Sequence, residues 1–96
     1  MALIKKALLM HPKDQVAVVL SDVKKADRVA IIWENQTVET IDALTDIPQY
    51  HKLALRPIRQ ADRVYKYGEV IAQATAAIDK GCHVHIHNIE SVRVRP

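Results

Sequence analysis

A seven-residue pattern that occurs three times constrains this chain most: Val23-Lys24-Lys25-Ala26-Asp27-Arg28-Val29, Ile58-Arg59-Gln60-Ala61-Asp62-Arg63-Val64 and Ile78-Asp79-Lys80-Gly81-Cys82-His83-Val84. Each copy opens on a β-branched residue, passes through three turn residues and two variable ones, and closes on valine. That order reads as a tight turn feeding a strand, with both branched residues held in the core. The copies are unequally spaced, which argues against a solenoid. No segment sustains an apolar period of 3.6, so the expected class is mainly β, with short strands and many turns.

In chain order, Leu3 to Met10 is apolar with a charged pair and is stopped by His11-Pro12-Lys13-Asp14, where proline fixes φ. Gln15 to Leu20 suits a short buried strand, and Ser21 to Asp27 is polar and turn-like. Val29 to Trp33 reads as a strand that turns at Glu34-Asn35-Gln36-Thr37 into the alternating Val38 to Ile41. Asp46-Ile47-Pro48 breaks the run. His51 to Leu55 follows, with His51, Leu53 and Leu55 on one face and Lys52, Ala54 and Arg56 on the other. Ile58 to Val64, Tyr65 to Glu69 and Val70 to Ala72 continue the β pattern. Gln73 to Lys80 could form a helical turn, and Ser91 to Arg95 alternates as a final strand.

Length and composition narrow the functions open to the chain. Ninety-six residues, 1–96, make one small domain, and with no Phe, one Trp and three Tyr its core must come from Val, Ile, Leu and Ala. Little volume remains for a deep pocket. A formal charge of +3 favours anionic ligands. The Lys and Arg residues are scattered and aromatics are few, so nucleic acid ranks last among partners. A single Cys82 excludes an internal disulfide framework. The apolar stretch after Lys5-Lys6 is too short for a signal peptide or a membrane span, so a cytoplasmic, soluble protein without membrane contact is expected.

The chemistry concentrates near the end. In Lys80-Gly81-Cys82-His83-Val84-His85-Ile86-His87-Asn88, three of the five histidines recur at spacing two. As a strand, this run projects His83, His85 and His87 from one face, and Cys82, Val84 and Ile86 from the other. Imidazole exchanges a proton or ligates a metal near neutral pH. Alternate residues lie about 6.5 to 7 Å apart, so two rings can share an ion with bonds of about 2.1 Å, whereas His83 and His87 are about 13 Å apart. Other ligands must come from elsewhere, and His51 is the internal candidate.

Three ordered motifs then acquire meaning together: Ile47-Pro48-x-x-His51-Lys52-Leu53-Ala54-Leu55, Val64-x-Lys66-Tyr67-Gly68-Glu69-Val70-Ile71-x-x-Ala74-Thr75 and Gly81-x-His83-Val84-His85-Ile86-His87-Asn88. Across nearly the whole chain this series resembles the small SAF domain, a β-clip fold, of the altronate and galactarate dehydratase family. The small subunit of sulfolactate sulfo-lyase is similar. The resemblance implies a hydro-lyase component, inactive or barely active alone, that eliminates water from a hydroxy acid beside a separate large subunit. It implies divalent iron or manganese as a Lewis acid that stabilises a developing enediolate, and a base near its operating pH. Carried over by position, His83, His85 and His87 are metal candidates, and His51, His85 and His87 are catalytic candidates. Lys52, Lys66 and Asn88 are substrate-binding candidates, although Asn88 could equally close a turn. Tyr67-Gly68-Glu69 is structural. Homo-oligomerisation stays open.

Departures from the family pattern matter too. Tyr50 stands where glycine usually precedes His-Lys, and Ala26 and Ala61 stand where the first two repeated turns usually have glycine. Alanine disfavours positive φ, so those turns are expected to relax or differ. Because SAF domains also occur in sialic acid synthases and in pilus and flagellar proteins, a non-catalytic carbohydrate-binding or assembly module is the competing reading, as is the sulfo-lyase small subunit.

Overall fold

A computed structural model describes residues 4–92, and among these there is no helix. Nine strands form two sheets. β1 (Lys5–Leu8), β2 (Val16–Val19), β3 (Arg28–Trp33), β4 (Gln36–Asp42), β5 (Lys52–Ala54) and β8 (His83–Val84) make a six-stranded sheet in the order β4-β3-β1-β2-β5-β8. β6 (Arg63–Lys66), β7 (Glu69–Ala74) and β9 (Ile89–Ser91) make the other, in the order β6-β7-β9. Only the β1–β3 pairing is parallel among these strands.

The continuous apolar run of β2 follows from its position between two cores. Ala17 and Val19 join Val29, Ile31, Ile41, Ile47 and Leu53 in one cluster, while Val16 joins Ala54, Ile58, Val64, Ala72, Ile78 and Val84 in the other. β5 divides in the same way, Leu53 to one core and Ala54 to the other, so its period of two serves both.

The repeated turn occurs four times, not three. Lys24, Pro48, Arg59 and Asp79 accept, through their carbonyls, the N–H groups of Asp27, His51, Asp62 and Cys82 at 2.9 to 3.1 Å. The third residue of each turn is left-handed: Ala26 at φ 77°, Tyr50 at 67°, Ala61 at 73° and Gly81 at 91°. A positive φ there is what a type II turn requires. Val23 bridges Ile47 and Ile58 bridges Ile78, so the turns pair two by two, and they launch β3, β5, β6 and β8. Ala26 and Ala61 therefore do not relax. The ladder around them holds the strained backbone, with Ala26 N–H donating to the Ala43 carbonyl and Ala61 N–H to that of Ala74, both at 2.8 Å. Gly81 differs, because a Cβ there would lie 2.6 Å from the Asp42 carbonyl oxygen.

Two hairpins close with adjacent positive-φ residues, Glu34-Asn35 and Tyr67-Gly68, the geometry that matches strand twist. The second is anchored by Asp14, which is 1% exposed and accepts the N–H groups of Tyr67 and Gly68 at 2.9 Å. Gln15 ties the same corner together: its amide accepts from Tyr65 N–H and donates to the Arg63 carbonyl across the bulge in β6.

Two local expectations fail, and a third falls mostly outside the described residues. Gln73 to Lys80 forms no helical turn, because β7 runs to Ala74 and Ile78 pairs with Ile58. Among the described residues the last strand is Ile89–Ser91, and residues 93–95 of the expected run lie outside them. The histidine strand ends at Val84, and Ile86, expected in the core, is 82% exposed.

Candidate metal centre

The end of β8 explains how the histidines are arranged. Asn88 folds back on the chain: its side-chain oxygen accepts His85 N–H at 2.9 Å and its amide donates to the His83 carbonyl at 2.8 Å. The N–H groups of Asn88 and Ile89 both reach the His85 carbonyl. Residues 85–88 thus form a turn, with Ile86 at its tip and the side-chain amide of Asn88 engaged by backbone on both ends. His83 is fixed from the other direction, its N–H donating to the Thr45 hydroxyl at 3.0 Å.

β5 brings His51 into this group. Leu53 pairs with His83 and Lys52 with Val84, and the same register carried one step further sets His51 across from His85. Their rings stack at 4.2 Å, while the His51 and His83 rings are 5.0 Å apart, with His51 Nδ1 hydrogen-bonded to His83 Nε2 at 2.8 Å. The His83 and His85 rings are 5.5 Å apart and nearly parallel. One ring nitrogen from each of His51, His83 and His85 lies within 4.8 Å of the others. Two nitrogens bound to one ion at about 2.1 Å can be no more than about 4.2 Å apart, so ring shifts of under about 1 Å would close the set.

His87 sits apart from that convergence. It is exposed, and its ring lies 5.0 Å from that of His83, on a cleft of about 270 Å³ shared with Thr45, Asp46, Asp79, Cys82 and Asn88. Of the four candidate imidazoles, then, those brought together as possible ligands are His51, His83 and His85. His51 lies 32 residues from His83, and only strand pairing makes them neighbours. The turn at Tyr50 follows the pattern of the other three, and reading Ile47 to Leu53 as a fourth copy would have placed His51 at the start of a strand.

The electrostatics favour the neutral form of His83 and His85. Partial burial, with His87, His51, His85 and Lys52 as cationic neighbours, lowers the His83 pKa from 6.5 to about 4. Burial and the charges of His51, Lys52 and His87 lower that of His85 as well. Neutral imidazole is the form that binds a metal. Burial, then the charge of Lys66, lowers the Lys52 pKa. Lys66 lies over the Tyr67 ring at 5.2 Å, and neither lysine forms an ion pair among the described residues. A second cleft of about 490 Å³, lined by Pro12, Lys13, Gln15, Arg56 and Tyr65, shares no residue with the centre.

Fold and site together define a small all-β module carrying a convergent set of three imidazoles with Lys52 as a charged neighbour. Residues 5–92 match the family model described as the altronate/galactarate dehydratase SAF domain, and the chain belongs to that family. It is 40% identical over 79 residues to the altronate dehydratase of Escherichia coli strain K12, covering 82% of this chain and 15% of that enzyme. It is 32% identical over 87 residues to that of Bacillus subtilis strain 168, covering 91% of this chain and 16% of the enzyme. It is also 40% identical over 65 residues to (2R)-sulfolactate sulfo-lyase subunit alpha of Paracoccus pantotrophus, covering 68% of this chain and 97% of that subunit. The chain thus spans a small part of the dehydratases and nearly all of the sulfo-lyase subunit. No helix among the described residues is long and apolar enough to cross a membrane.

Proposed function

We propose that this chain is the small SAF component of a metal-dependent sugar-acid dehydratase of the altronate or galactarate type, eliminating water from a hydroxy acid together with a large catalytic subunit. The observation that carries this reading is the convergence of His51, His83 and His85. Three imidazoles suit divalent iron or manganese and leave coordination positions open, the pattern of catalytic rather than structural sites. When bound, the ion would supply Lewis acidity toward the carboxylate and the leaving hydroxyl.

The remaining groups divide the other tasks. Lys52 and Lys66, which lack protein counter-ions among the described residues, hold the substrate carboxylate as point charges. A nitrogen engaged as a ligand cannot also accept a proton, so His87, outside the set, is the imidazole left to move one. Asn88 acts through the turn it closes, holding the backbone of His83 and His85.

Matching 97% of a sulfo-lyase alpha subunit supports a second reading, in which the leaving group is sulfite. Co-expression with a dehydratase large subunit, followed by assays on altronate, galactarate and sulfolactate, distinguishes the two. Metal-dependent dehydration that falls at least about 100-fold in His85→Ala supports the proposal. Full activity in that variant would contradict it.

A further inference from the structure

The cleft of about 490 Å³ shares no residue with the imidazole centre, and the chemistry proposed above leaves it unused. Pro12, Lys13, Gln15, Arg56 and Tyr65 line it, and its volume is that of a small-molecule site. Gln15 holds the walls together. Its carbonyl accepts Leu55 N–H at 2.8 Å, next to Arg56 in the chain, and its side-chain amide accepts Tyr65 N–H at 2.9 Å and donates to the Arg63 carbonyl at 3.1 Å. Lys13 is fixed from its own turn, its N–H donating to His11 Nδ1 at 3.0 Å. Backbone from three separate segments is therefore set in place before anything binds, which lowers the ordering cost of binding.

The charge of the lining is one-sided. Lys13 and Arg56 are exposed, and neither forms an ion pair among the described residues, where the pairs are Arg28–Asp42 and Lys80–Glu39. Among those residues no carboxylate lines the cleft. Asp14, next to Lys13 in the chain, is 1% exposed and engages both oxygens with the N–H groups of Tyr67 and Gly68. A guanidinium fork binds a carboxylate or phosphate through two parallel hydrogen bonds, and an ammonium adds a point charge. Tyr65 contributes an aromatic surface and a hydroxyl, which suits an anion carried on a carbon skeleton. We infer that this cleft is a second ligand site, separate from the metal centre, for a small organic dianion, either a phosphate monoester or a dicarboxylate. Arg56 grips the anionic group, Lys13 balances its second charge and Tyr65 covers the skeleton. The inference does not depend on the functional reading above.

The test is an amide NMR titration of the metal-free chain in about 0.15 M salt, where diffuse surface attraction is screened. Glycerol 3-phosphate is the probe in one arm and succinate in the other. Saturable shifts are expected at Lys13, Gln15, Arg56 and Tyr65, with the signals of His51, His83 and His85 unmoved, and the arm with the lower midpoint identifies which kind of dianion the cleft takes. Arg56→Gln should weaken binding at least about tenfold and Lys13→Gln about two- to fivefold, while Lys25→Gln, which removes an exposed cation from the first repeated turn, changes it less than about 1.5-fold. The substituted side chains are exposed, so each variant should keep the wild-type amide spectrum outside the cleft. The absence of saturable shifts in both arms, shifts centred on the imidazoles, or equal losses in Lys25→Gln and Arg56→Gln would overturn the site.

Discussion

At Ala26 and Ala61 the left-handed residue is followed by an aspartate whose carboxylate accepts the first N–H of its own turn, Asp27 from Lys24 at 2.9 Å and Asp62 from Arg59 at 3.0 Å. At Tyr50 and Gly81 the same position holds His51 and Cys82. In the Tyr50 turn the first residue is Pro48, which has no N–H to cap, so an aspartate at 51 would gain nothing there. The next position continues the contrast, Arg28 and Arg63 in one pair of turns against Lys52 and His83 in the other. One backbone device thus closes itself in two places, and in the other two gives the capping position to an imidazole and a thiol.

The sharpest way to break this comparison is Gly81→Ala. Alanine occupies the equivalent site in two turns, yet at 81 its Cβ would sit 2.6 Å from the Asp42 carbonyl. Strain and clash together should cost about 3 kcal/mol in chemical denaturation. A cost below about 1 kcal/mol would mean that the turns are interchangeable.

Acid should separate the pairs next. His83, with its pKa lowered to about 4, and His85, also lowered, stay neutral in the fold while the unfolded chain protonates near 6.5. The unfolded state then binds more protons, so stability falls as pH drops from about 6.5 toward 4 and is unaffected above that range. The ring C–H resonances of His83 should titrate near 4, and a midpoint near 6.5 would remove this distinction.

Asp27→Ala and Asp62→Ala should each cost about 1 kcal/mol in thermal unfolding, as lost caps do, whereas His51→Ala should cost less in the metal-free chain. Equal costs would erase the division between capping and chemical turns. The smallest effect is a gain: Ala26→Gly and Ala61→Gly should stabilise by about 0.5 kcal/mol, because relief of left-handed strain exceeds the added entropy of the unfolded chain.

The sequence made the turns and the β class readable because branched residues at fixed offsets mark a local geometry. Val23, Ile58 and Ile78, with Val29, Val64 and Val84, are all buried as that pattern requires. It did not reveal that Ala26 and Ala61 keep positive φ, since the hydrogen bonds holding them come from Ala43 and Ala74, well along the chain. Nor could spacing show the strand stopping at Val84. A period of two was present through His87, but Asn88 competes for the backbone of His83 and His85 and bends it. The fourth turn was hidden because Pro48 and Tyr50 resemble none of its counterparts. His51 stands out in the sequence as the remaining internal ligand and by its place in the His-Lys motif, but its meeting with His83 and His85 is not legible there, because the pairing of β5 with β8 is a long-range fact that no local pattern encodes.

Three imidazoles meeting at one point carry the proposed chemistry, and metal titration of the 96-residue chain tests that convergence most directly. With Mn²⁺, the expected result is one ion per chain, an affinity at least about 100-fold weaker in His51→Ala, and a change below about threefold in His87→Ala. Loss of binding in His87→Ala with binding retained in His51→Ala would contradict it.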